Sequence, residues 1–128
     1  MRHTIETDQA PRAIGPYSQA VRAAGFIFTS GQIPLDPGTG KIVAGGIGNQ
    51  ARQSMENIRA ILTAAGSDFS QVIKATIFLA DIKDFAAINE VYSGYFPADP
   101  PARSAFQVAA LPMGALVEIE MIALAPTN

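Results

Sequence analysis

The sequence predicts an α+β fold, a mixed six-stranded sheet with two helices on one face. Three observations lead there. Segments with strand and helix patterning follow one another as strands, helix, strand, helix, strands, the order expected when helices gather on one side of a sheet. Each helical segment carries a single apolar stripe. The later strands are apolar on both faces, so two helices cover one face and leave the other to a partner.

Residues 2–6, 18–23 and 26–30 read as short strands, with Gly25 turning the chain between the last two. The run from Leu35 to Lys41, Leu-Asp-Pro-Gly-Thr-Gly-Lys, is a turn-rich loop, and Gly45-Gly46-Ile47-Gly48 reads as a flexible approach to a helix over 49–65. In that helix Ala51, Met55, Ile58, Leu62 and Ala65 recur at steps of four and three residues. Gly66 suits the left-handed position just past its end. Residues 72–80 form a β-branched strand, with Ile73, Ala75, Ile77 and Leu79 on one face and Val72, Phe78 and Ala80 on the other. Asp84 can cap a second helix that sets Phe85, Ile88, Tyr92 and Tyr95 or Phe96 on one side. Pro97 and Pro100-Pro101 end it. The last strands are 103–109 and 116–124, and in the final one Val117, Ile119, Met121 and Ala123 face away from Leu116, Glu118, Glu120, Ile122 and Leu124.

The 128 residues suit a single domain, and 48% hydrophobic against 16% charged content builds a core. No stretch is long and apolar enough to span a bilayer, and the start, Met1-Arg2-His3-Thr4-Ile5-Glu6, has no signal-peptide core. With no cysteines, disulfides and thiolate chemistry are excluded, and the expectation is a cytoplasmic protein. His3 is the only histidine, which sets aside a serine or cysteine relay and a histidine metal site. A net charge of −2 without a Lys/Arg cluster argues against a nucleic-acid partner.

One pair of residues has chemistry of its own. Arg103 follows Pro100-Pro101, and Glu118 comes 15 residues later, on what reads as a neighbouring β-type segment. An arginine offers a planar fork of donors that fits a carboxylate, and a glutamate can hold or deprotonate water. The bland readings are a surface ion pair for Arg103 and solvated carboxylates for Glu118 and Glu120. Those two acids share a strand face, and spacing alone does not choose between them.

The block Pro101-Ala102-Arg103-Ser104-Ala105-Phe106-Gln107-Val108-Ala109-Ala110-Leu111-Pro112, continued by Val117-Glu118-Ile119-Glu120, resembles the signature of the reactive intermediate deaminase A (RidA, or YjgF) family. Ala13-Ile14-Gly15-Pro16-Tyr17, Thr29-Ser30-Gly31-Gln32-Ile33-Pro34, Gln50-Ala51-Arg52-Gln53-Ser54 and Asp84-Phe85-Ala86-Ala87-Ile88-Asn89 are similar to further family blocks, in the same order. The resemblance implies a chorismate-mutase-like subunit in a homotrimer, with active sites between subunits and no cofactor or metal. It implies hydrolysis of 2-imino acids: 2-aminoacrylate, through 2-iminopropanoate, to pyruvate and ammonia, and 2-iminobutanoate to 2-oxobutanoate. Arg103 would bind the substrate carboxylate and Glu118 would position the water, leaving Glu120 to the scaffold.

For the remaining positions the residues alone favour plain roles, and the resemblance adds others. Tyr17 could fill core or line the pocket. Ser30 and Gly31 could form an ordinary turn or contact the substrate. Asn89 could be a solvated helix residue or reach the pocket. Phe85, Tyr92 and Phe96 read as helix-to-sheet core. Ala105 stands where many relatives carry cysteine, and its backbone carbonyl would still serve the water. A ribonuclease or translation inhibitor, and a non-catalytic keto-acid-binding module, are the alternative functions.

Overall fold

The computed structural model describes residues 1–127. Six strands form one sheet: β1 (His3–Ile5), β2 (Ala20–Ala23), β3 (Phe26–Thr29), β4 (Val72–Leu79), β5 (Ala102–Gln107) and β6 (Val117–Leu124), in the order β1-β2-β3-β6-β4-β5. All neighbours are antiparallel except β4 and β5, which run parallel around the crossover through α2 (Phe85–Ser93). The longer helix, α1 (Gly46–Ala64), joins β3 to β4. Residues of both helices share one core with the same sheet face, so the predicted two-layer α+β arrangement and its mixed sheet are present.

The core is what the alternation and the helical stripe specify. Met55, Ile58, Ile61 and Leu62 of α1 and Ile88 of α2 pack against Ile27, Ala75, Ile77, Leu79, Val117, Ile119, Met121 and Ala123. Each large aliphatic side chain so buried contributes about 1.5–3 kcal/mol. Gly66 has φ +80°, and the amides of Gly66 and Ser67 bond the carbonyls of Thr63 and Leu62 at 3.0 and 2.8 Å. These paired bonds close the end of α1 as expected of a left-handed glycine cap. Ala24 (φ 52°) and Gly25 (φ 83°) together make the turn between β2 and β3. Two successive positive φ values match the right-handed twist of a hairpin.

Four local expectations are corrected. α1 starts at Gly46, so Ile47 and Gly48 lie in its first turn rather than in a flexible approach, with Gly45 and Gly46 at φ 105° and 75° turning the chain in. Asp84 stands at the start of α2 but makes no side-chain cap; Asp81 instead caps the preceding short 3-10 turn, accepting from the Lys83 amide at 2.9 Å. The helix ends at Ser93, before Pro97 is reached. In β4 a bulge between Val72 and Lys74 places Val72 with Ala75, Ile77 and Leu79 in the core and leaves Ile73 exposed. The extra residue reverses which way the strand's first side chains point.

The face away from the helices is apolar and open. Phe28, Ile73, Phe106 and Leu124 are each 40–44% exposed. Phe78 and Phe106 stack edge to face across β4 and β5 with ring centroids 5.4 Å apart. Among the described residues, no helix is long and apolar enough to cross a membrane.

Candidate active site

Arg103 lies on the helix side of the sheet. It pairs across β4–β5 with Ala75, which is fully buried beneath the helices. Its Nη1 donates to Asn89 Oδ1 at 2.7 Å, and its guanidinium carbon lies 5.4 Å from the Phe85 ring centroid and 4.9 Å from that of Tyr92. Phe85, Asn89 and Tyr92 fall at i, i+4 and i+7 of α2, one helix face, so a short amphipathic helix supplies the whole cradle. The other N–H groups of the guanidinium make no hydrogen bond within the described chain. Ala105, two residues along the same strand, packs partly buried against the core on that side.

Glu118 points the other way. It pairs with Phe78, while Val117 and Ile119 on either side are fully buried in the helix-side core. Because strand side chains alternate, the Glu118 carboxylate and the Arg103 guanidinium lie on opposite faces of the sheet. β4 also runs between their strands, so the expectation of neighbouring strands is corrected. Non-sequential strand pairing was not readable from the chain order. Glu120 shares Glu118's face, as its spacing required.

Glu118 is flanked by Gly31. A Cβ at residue 31 would overlap the Glu118 carboxylate, standing 2.8 Å from its carbon. The group that comes up against Gly31 is therefore a side chain of the same chain. Two bonds between Gln32 and Ile119, at 2.8 and 3.2 Å, hold this backbone beside β6. Gln50, buried on α1, accepts the Leu116 amide at 2.9 Å and fixes the start of the strand. Burial pushes the Glu118 carboxyl above its ordinary range, and the neighbouring charge of Glu120 adds to the shift. A carboxylate so raised is a better proton acceptor near neutral pH.

Ser30 donates its hydroxyl to the Ser18 carbonyl at 2.5 Å, and its amide bonds Gln19 at 2.8 Å, which ties the end of β3 to the segment before β2. Tyr17 is not core: it is 51% exposed. It bounds an open cavity of about 400 Å³ with Thr4, Glu6, Arg12 and Ser18, a space that none of Arg103, Asn89, Glu118 or Gly31 lines. One chain thus presents two separate groups, Arg103 with Asn89 and Ala105 on one side, and Glu118 with Gly31 on the other. The residues that the sequence reading assigned only to packing are Phe85 and Tyr92. Their signal was the i, i+4, i+7 placement around Asn89.

A family model described as Endoribonuclease L-PSP matches residues 7–125. The 2-iminobutanoate/2-iminopropanoate deaminase of Capra hircus is 55% identical over 124 residues, covering 97% of this chain and 90% of the goat protein. The solved structure of E. coli TdcF with bound serine is 50% identical, with a TM-score of 0.92 over 97% of this chain and 99% of TdcF. A putative endoribonuclease from Thermotoga maritima is 47% identical, with a TM-score of 0.95 over 99% of this chain and 100% of its own. This coverage, together with the sheet order and the blocks around Arg103 and Glu118, leads to one conclusion: the chain belongs to the Endoribonuclease L-PSP family, the RidA/YjgF family of the resemblance.

Proposed function

We propose that the chain is a hydrolytic deaminase of small 2-imino acids, 2-iminopropanoate and 2-iminobutanoate, working as a homotrimer with sites between subunits. The observation that carries the reading is the Arg103 cradle. An arginine held by one amide and two rings, with its remaining donors uncommitted, suits a carboxylate of a small organic acid. The name of the goat relative and the serine bound to TdcF are in keeping with a ligand that joins a carboxylate to a nitrogen-bearing carbon.

The placement of Glu118 on the opposite face supports the shared site. Arg103 of one subunit would meet Glu118 and Gly31 of the next, and Tyr17 and Ser30 would line the same cleft. The exposed face with Phe28, Ile73, Phe106 and Leu124 would be covered in the same assembly. In the reaction Arg103 fixes the carboxylate and Glu118 takes a proton from water as its oxygen bonds to the imine carbon. Glu118 returns that proton to the nitrogen, the hydroxyl proton then passes to the nitrogen as the C–N bond breaks, and ammonia and a 2-oxo acid remain. Holding both reactants makes the encounter effectively intramolecular.

The test couples this protein to a serine or threonine dehydratase and traps the released imine with semicarbazide. The expected result is less semicarbazone and faster 2-oxo acid formation with the wild type, and no such effect with Arg103→Ala. Equal semicarbazone with and without the protein sinks the reading. The endoribonuclease in the family's description is checked by incubation with single-stranded RNA. A net charge of −2, with Glu118 and Glu120 on one face, opposes binding of a phosphate backbone, so no cleavage is expected.

A further inference from the structure

We infer that Tyr92, helped by Phe85, is a positioning residue for Arg103: its ring holds the guanidinium in place beside α2 and so pre-positions the fork for a substrate carboxylate. The inference rests on the reading of Arg103 as the carboxylate anchor. It assigns the two aromatic residues a role in substrate affinity beyond core packing.

Three features of Tyr92 point to its face rather than its hydroxyl. The residue is only 6% exposed, and its hydroxyl is buried without a hydrogen-bond partner among the described residues. A tyrosine retained for its O–H would have a partner there. What it does touch is the cation, 4.9 Å from ring centroid to guanidinium carbon. Burial also raises the Tyr92 phenol, with the Arg103 charge opposing the shift, so the ring stays neutral and cannot compete with a carboxylate for the arginine.

The geometry lets Arg103 satisfy both partners. The rings attract the cation through their own π faces, whereas a carboxylate takes up N–H donors at the guanidinium edge. Asn89 occupies one edge position through Nη1, leaving others for the ligand. Tyr92 is in turn held from behind. Phe96 lies 4.8 Å from it, ring to ring, and Phe69 lies 5.5 Å from Phe96. Arg59 covers Phe69 and Tyr95 at 5.4 and 5.2 Å, and Tyr95 donates to Glu56 at 2.6 Å. An aromatic chain therefore runs from the outer face of α1 to the Arg103 cradle, and it keeps the Tyr92 ring from moving with its cation.

The test is steady-state kinetics on full-length Tyr92→Phe, Tyr92→Leu, Phe85→Leu and Arg103→Ala, using 2-iminobutanoate generated in situ and thermal melting as the control for folding. Tyr92→Leu should raise KM about tenfold, the scale of a lost desolvated cation–π contact, with kcat nearly unchanged. Tyr92→Phe keeps the face and removes an unpartnered hydroxyl, so it should retain the wild-type KM and melt at the same temperature or higher. If Tyr92→Leu does not fold, Phe85→Leu gives the same readout with a smaller rise in KM. The inference is overturned if a folded Tyr92→Leu or Phe85→Leu keeps the wild-type KM, or lowers kcat alone. It is also overturned if Tyr92→Phe behaves like Tyr92→Leu. An unchanged KM in Arg103→Ala identifies the other failure, that of the carboxylate anchor itself.

Discussion

At the scale of single residues, the two side chains proposed to carry the chemistry sit in different settings. Arg103 is held by the Asn89 amide and two aromatic rings, and Glu118 is a carboxylate that burial makes harder to ionise. Arg103→Lys keeps the charge and loses the planar fork, so kcat/KM should fall at least about thirtyfold in the coupled assay, the lower end of the cost of a broken charge-assisted contact. A variant within twofold of wild type, about 0.4 kcal/mol, would dismiss bidentate binding. Glu118 gives a prediction with a sign. Its folded-state pKa is raised above the ordinary 4.5, so its contribution to stability is fully present below that value and is lost as pH climbs through the raised pKa. Glu118→Gln should therefore melt higher than wild type at neutral pH, with the gain vanishing in acid, while imine hydrolysis falls. Paired melting curves across pH check this, and a gain that grows toward acid would reverse the assignment. Both residues stood out in the sequence through their residue types and the family block. Their surroundings did not, because the cradle depends on which face of the second helix meets the strand.

At the scale of elements, the two periodicities accounted for most of what formed. The stripe Ala51, Met55, Ile58, Leu62, Ala65 is buried throughout, and so is the row Val117, Ile119, Met121, Ala123. What escaped has local causes. Glycines at 45, 46 and 48 read as a flexible approach, but Gly45 and Gly46, at φ 105° and 75°, make a defined turn, and Gly48 already lies in α1. The bulge at Ile73 leaves no mark in a run of β-branched residues. The order β3-β6-β4-β5 is set by long-range pairing that a linear reading does not contain. The approach of Gly31 to β6 gives the element-scale prediction. Gly31→Ala adds a Cβ against the end of a flexible glutamate at an ordinary backbone angle, so the carboxylate moves and the fold does not. Hydrolysis should drop as far as in Glu118→Gln, with the melting temperature within about 2 °C of wild type, as expected of a change that leaves the core intact. A large fall in stability with activity retained would show that Gly31 serves packing alone.

At the scale of the whole molecule, the two faces of one sheet carry different burdens. One is sealed by helices, and the other presents aromatic and aliphatic side chains beside the Glu118 carboxylate. The sequence disclosed this imbalance through the double-sided apolar strands, although the number of subunits came only from the resemblance. Light scattering should give three times the chain mass of 13.5 kDa at micromolar concentration; a stable monomer would remove the shared cleft. The central claim is that Arg103 and Glu118 act together from different subunits, and mixed oligomers test it most directly. Arg103→Ala and Glu118→Gln chains, each inactive alone, are co-expressed with different tags, and oligomers carrying both tags are isolated and assayed with 2-iminobutanoate. A site built across a subunit boundary predicts that the doubly tagged oligomers regain about a third of wild-type activity, because in a closed ring of three, whichever chain is present twice, one boundary brings an intact Arg103 to an intact Glu118. Mixed oligomers no more active than either parent would contradict the account.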